Sequence, residues 1–161
     1  MKIQVRNRRF NALALVGWLA LTFCAAATGA MVSTSGWYAT LVKPSWNPPG
    51  WLFGPVWTVL YIMMAVAAWL VWLRGGWKAQ RNALSFYMAQ WALNMLWTPL
   101  FFGFQYPGLA FAEVIVLALA VLATLISFWK VRTLAGVLLI PYMLWVGFAA
   151  TLNFTIWRLN S

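Results

Sequence analysis

Residues 109–129 read LAFAEVIVLALAVLATLISFW, an unbroken apolar stretch with a single charged side chain, Glu113. Pro107 and Gly108 precede it, and Lys130 and Arg132 follow at once. An α-helix crosses a bilayer with roughly 20 predominantly apolar residues, and this stretch has that length. It shows no alternation of period two, which a strand of an outer-membrane barrel would need. Hydrocarbon offers no water to backbone N–H and C=O groups, so they must pair within the segment, and a helix is the form that does this. The stretch reads as a membrane helix, and the rest of the chain has to be read in the same solvent.

Working outward, four more stretches of this kind appear: 134–157 after it, and 82–103, 55–73 and 11–33 before it. The expected fold is all-α, an integral membrane bundle of five transmembrane helices forming one domain over residues 1–161. Composition agrees. The chain is 65% hydrophobic and 7% charged, with a mean hydropathy of +0.81, whereas soluble domains carry about a quarter charged residues. The net charge of +10 comes from 11 Lys and Arg against one acid. These cations cluster between apolar runs rather than along one face, which excludes a nucleic-acid surface and fits topology signals and contacts with anionic membrane lipid.

Their distribution sets an orientation. Lys2, Arg6, Arg8 and Arg9 precede the first helix; Arg74, Lys78 and Arg81 separate the second from the third; Lys130 and Arg132 separate the fourth from the fifth. The other exposed segments hold only Lys43 and Arg158. The positive-inside rule then puts the N-terminus in the cytoplasm and the C-terminus outside. The N-terminus also has a competing reading, a secretory signal ending near Ala25-Ala26-Ala27, although its apolar core is long for one. Cleavage there would leave four helices. The single cysteine, Cys24, cannot form an intrachain disulfide and says nothing of redox compartment.

What the chain lacks narrows its chemistry. It has no histidine, and its only acid is Glu113. No carboxylate pair, His–carboxylate dyad or ordinary metal cluster can be assembled in one chain, and no Gly-rich phosphate loop is present. Hydrolytic, metal-dependent, nucleotide-dependent and proton-pumping functions are therefore not expected, and no cofactor is required. Glu113 reads as a first-turn acid complementing its helix N-terminus, with a nearby base as its partner.

Tryptophan is the positive signal, with 13 residues. Interfacial belts account for Trp37, Trp51, Trp69, Trp72, Trp77, Trp129 and Trp157, but not for Trp91, Trp97 and Trp145, which fall inside their spans. Helical spacing sorts the interior groups into stripes. Tyr87, Gln90, Asn94 and Trp97 share one face of the third helix, Tyr142, Trp145, Ala149 and Asn153 one face of the fifth, and Trp57, Tyr61 and Ala68 one face of the second. Such stripes face the bundle interior. They serve either as interhelical hydrogen bonding with aromatic filling or as the wall of a pocket. The segment 34–54, STSGWYATLVKPSWNPPGWLFG from Ser33, carries Pro44, Pro48 and Pro49 and reads as a compact lid. Trp57, Trp97, Trp145 and Glu113 converge beneath it on the outer side. An aromatic-walled cavity with few polar anchors suits a planar hydrophobic ligand, with Lys43 or Arg158 able to meet a carboxylate at its rim.

The segments WYATLVKPSWNPP with GPVWTVLY, ALNMLWTPLFFG, and PYMLWVGFAATLNFTIWRLN resemble those of the TspO/MBR family, the tryptophan-rich sensory proteins related to the mitochondrial translocator protein. The resemblance covers nearly the whole chain. It implies a five-helix bundle, usually homodimeric, that binds porphyrins such as protoporphyrin as ligands. It implies ligand contacts from Trp46, Trp57, Asn94, Trp97, Trp145 and Ala149, to which the stripes add Tyr61, Tyr142 and Asn153. Some members are reported to break porphyrin down in light, which would make Trp57 and Trp145 the catalytic candidates; passage of a small hydrophobic molecule is a third reading. Sterol recognition in vertebrate relatives uses a Tyr where this chain has Phe154, while Val32, Tyr38 and Lys43 satisfy the same loose pattern in the lid.

Overall fold

Apolar runs bounded by cations, glycines and prolines become helices in the computed structural model, which describes residues 8–30 and 36–161. In chain order, α1 spans Arg8–Ala30, α2 Trp37–Thr40, α3 Phe53–Trp72, α4 Gly76–Ala79, α5 Arg81–Thr98, α6 Pro107–Val131 and α7 Thr133–Leu159. A 3-10 turn, Gly50–Leu52, leads into α3, and a wide π turn, Pro99–Gly103, continues α5. All regular structure among the described residues is helical. Lys2, Arg6, Val32 and the stretch 31–35 of the expected first helix and lid lie outside the described residues, as do the side chains of Arg8 and Arg9.

Four helical stretches are long and apolar enough to cross a membrane: Phe10–Gly29, Gly50–Trp72, Pro107–Val131 and Thr133–Leu159. Among the described residues the fold is thus all-helical, with four helices suited to a membrane. The segment expected as the third crossing differs from these. Arg81, Asn82, Ser85, Gln90 and Asn94 make α5 more polar than its neighbours, and its buried polar residues, Gln90 and Asn94, are turned into the bundle.

Helix ends follow local chemistry. Gly75 and Gly76 take φ of 118° and 69°, the left-handed region that an L side chain avoids, and so reverse the chain between α3 and α4. Pro107 begins α6, where its missing N–H has no helical partner to lose. The π turn closes with Phe104 N–H donating to Pro99 O at 2.8 Å.

α6 packs chiefly on α7 and α5, while α3 lies between α1 and α7. Tyr87 of α5 is buried in the half of the bundle away from the lid. Its ring stacks on Phe128 at 5.9 Å and meets Trp18 edge-on at 5.5 Å, and its hydroxyl shares a hydrogen bond with Thr22 at 2.6 Å. The Trp69 indole N–H donates to Asn11 O at 2.9 Å, tying α1 to α3. α1 runs unbroken through Ala25-Ala26-Ala27, and Ala25 is buried.

Candidate ligand-binding site

The lid is held by specific hydrogen bonds. Tyr38 hydroxyl donates to Asn47 Oδ1 at 3.0 Å, and Asn47 N–H donates to Pro44 O at 3.0 Å. Asn160, just past α7, grips the other side: its Oδ1 accepts from Val42 N–H and its Nδ2 donates to Val42 O, both at 2.9 Å. Lys43 Nζ is committed to the lid itself, donating to Leu41 O at 2.9 Å and lying 4.9 Å from the Tyr38 ring centre. Burial pushes the Tyr38 hydroxyl above its ordinary value of 10.0. Arg158 is exposed at the end of α7.

Beneath this lid lies a cavity of about 430 Å³, within the size range of small-molecule sites. Each long helix contributes: Phe23, Ala26 and Gly29 from α1, Trp57 and Tyr61 from α3, Asn94 and Trp97 from α5, Val114 and Leu117 from α6, Trp145, Ala149 and Asn153 from α7. The lid supplies Tyr38 and Gly50, and the π turn supplies Phe101 and Phe102. The three sequence stripes turn inward together because each helix keeps its lipid-facing side apolar and its amide-bearing side covered.

The aromatic walls are braced in pairs. Trp57 packs against Tyr61 at 5.2 Å, Trp145 against Phe148 at 5.4 Å and Phe53 at 6.0 Å, and Trp97 stacks on Phe101 at 5.2 Å. Stacked, tilted and edge-on contacts at such distances hold the rings at fixed tilts. Besides Tyr38, Thr58 and Thr98, the polar groups of the wall form two hydrogen-bonded sets. In one, the Trp97 indole N–H donates to Asn153 Oδ1 at 3.1 Å, and Asn153 Nδ2 donates to Pro107 O at 2.8 Å. In the other, a chain runs from the cavity into the core. Tyr61 hydroxyl donates to Asn94 Oδ1 at 3.0 Å, Asn94 Nδ2 donates to Tyr142 Oη at 3.2 Å, and Tyr142 hydroxyl donates to Gln90 Oε1 at 2.9 Å. Asn94 thus both lines the cavity and bonds across helices, so the two readings of the stripes apply to one residue.

Trp57, Tyr61, Asn94, Trp97, Trp145, Ala149 and Asn153 share the cavity. Two residues expected there do not line it. Trp46 is 46% exposed and rests its ring on Phe148 at 5.9 Å, one layer outside the wall. Tyr142 is fully buried under the floor, 6.2 Å from the Trp57 ring. Periodicity gave the right helix face for Tyr142 but not its depth. Glu113 departs further from expectation. It sits on the second turn of α6 rather than the first, and neither buried carboxyl oxygen has a hydrogen-bond partner among the described residues. It does not reach the cavity wall, where its neighbour Val114 stands.

Sequence reading missed the phenylalanines of the wall, Phe23, Phe53, Phe101, Phe102 and Phe148. Nothing local separates a cavity Phe from a lipid-facing one. The aromatic density of LWTPLFFG was the one available signal. Phe154, at the position of interest for sterols, is 43% exposed and packs on Phe111 at 5.1 Å; Val32 of the alternative pattern lies outside the described residues.

Comparison with known proteins shows the family of the chain. The model of the TspO/MBR family matches residues 12–158. A tryptophan-rich sensory protein of Cereibacter sphaeroides is 46% identical over 147 residues, covering 88% of this chain and 91% of its own. Protein CrtK of Rhodobacter capsulatus is 44% identical over 142 residues, 85% and 86% of the two chains. The human translocator protein is 42% identical over 126 residues, 77% and 75% of the two chains. The match takes in α1, the lid and all the cavity-lining helices, and the chain belongs to the TspO/MBR family.

Proposed function

We propose that the chain is a membrane receptor or sensor whose lidded cavity binds a porphyrin or a ligand of similar flat, largely apolar shape. The observation that carries this reading is the cavity wall itself: three indoles, Trp57, Trp97 and Trp145, with Asn94 and Asn153 as polar anchors. Indole faces recognise extended planar rings, and two amides can orient a ligand without excluding related ones. The names of the relatives, sensory protein and translocator protein, support a receptor role. In this reading α5 with the π turn makes a fifth crossing, its polar face covered by the other helices. The N-terminus is cytoplasmic, the C-terminus lies outside a bacterial inner membrane, the five crossings form one domain, and the protein pairs as a homodimer. Stepwise addition of protoporphyrin to purified protein should quench tryptophan fluorescence, and Trp145→Ala should weaken the apparent affinity at least tenfold. An unchanged affinity would remove the cavity from the binding site.

A second reading, light-dependent breakdown of the bound porphyrin, is supported by the presence of Trp57 and Trp145 in one cavity. Loss of porphyrin absorbance under illumination would then depend on both, and equal loss after changing both to Phe would reject it.

A further inference from the structure

At the end of the bundle away from the lid, where α5 begins and α6 ends, the surface opens into a second cleft. Its volume is about 440 Å³, and Lys78, Arg81, Asn82, Ser127 and Lys130 line it. Three cations from two separate chain segments meet here, one in α4, one opening α5 and one in the last turn of α6. Among the described residues, none of the three has an ion-pair or hydrogen-bond partner. The chain cannot neutralise them. Its one acid, Glu113, lies seventeen positions back along α6, roughly 25 Å away at the helical rise. That is far too long for an ion pair, which needs contact within about 4 Å. The balancing anion must come from outside the chain.

We propose that this cleft binds a phosphate group, presented by an anionic lipid headgroup. Phosphate matches the lining: three positive groups for the charge, with Asn82 and Ser127 as donors to the remaining oxygens. The Gln80 side chain does not cap α5, which leaves first-turn N–H groups near the same place as a minor addition. The level of the cleft favours lipid as the source. Val131 ends a membrane-spanning stretch, and Trp77 and Trp129, 44% and 43% exposed, sit beside the cleft-lining Lys78 and Lys130 as interfacial anchors do. A headgroup phosphate travels at that depth, whereas free phosphate would have to enter from bulk water.

The full chain in detergent, titrated with phosphatidylglycerol and read by native mass spectrometry, tests this. Phosphatidylglycerol should be retained at least tenfold better than phosphatidylcholine. Arg81→Gln with Lys130→Gln should lower that retention at least fivefold. Arg74→Gln with Arg132→Gln, an equal charge loss on the same side but outside the cleft, should change it less than twofold. Phosphatidylglycerol should also raise the melting temperature of the parent and of R74Q/R132Q, but not of R81Q/K130Q. Added inorganic phosphate separates the sources: lipid retained in millimolar phosphate supports the headgroup, and lipid released by it supports a phosphate site open to the free anion. Equal retention of the two lipids, or equal losses in the two double variants, would overturn the site.

Discussion

Asn94 is where stability and the proposed ligand recognition meet. Its amide accepts from Tyr61 and donates to Tyr142, linking α3, α5 and α7 across a buried network. Replacement by Leu keeps the branched shape and removes both bonds. Interhelical hydrogen bonds in membranes average about 0.6 kcal/mol and reach about 1.7. Asn94→Leu should therefore destabilise the bundle by roughly 1–2 kcal/mol, measured by unfolding in detergent, while also lowering protoporphyrin affinity. A loss of affinity with no loss of stability would mean the network contributes nothing to packing. The residue's inward face was legible from its spacing to Tyr87 and Gln90. Its bonding partners were not, because they lie on helices distant in sequence. The same limit explains Trp46 and Tyr142, for which the sequence indicates a segment or face but not a depth.

At the scale of elements, the α6–α7 contact depends on a close approach. A Cβ on Gly136 would stand 2.6 Å from the Trp129 ring and 2.9 Å from the Trp129 backbone, so one helix would have to shift. Gly136→Ala should destabilise by about 1–3 kcal/mol through overpacking. Gly147→Ala, on the same helix with nothing within 4 Å, should be neutral or slightly stabilising because alanine favours helix. Equal effects of the two substitutions in detergent unfolding would place the α6–α7 contact elsewhere. The lid depends on Asn160 in a similar way. Asn160→Ala removes both bonds to Val42, so amide exchange at Val42 and the release rate of bound protoporphyrin should both increase several-fold. Exchange that stays at the parent rate would show that the Tyr38–Asn47 side alone holds the lid. Proline spacing foretold an ordered lid. The Asn160 clasp was invisible, since it joins residues 118 positions apart in the sequence.

For the whole molecule, charge and hydropathy carry most of the information. Long apolar runs could be read as helices because in lipid no other single-segment form satisfies the backbone. α5 shows where that reading weakens. Gln90 and Asn94 lower its apolar character for the sake of an interior network, and the helix that carries them walls the cavity. The lidded end and the basic end of the bundle then divide the work proposed here, a flat ligand at one and a headgroup at the other. The phenylalanine wall could not be anticipated, since only assembly separates an inward Phe from one that meets lipid. The central claim is that the lidded cavity is the ligand site. A structure of the protein with protoporphyrin bound tests it most directly. The ring should lie under the lid within about 4 Å of Trp57 and Trp145, the range of van der Waals contact. A ring seated on the outer, lipid-facing surface, with the cavity and its aromatic pairs unchanged, would contradict the account.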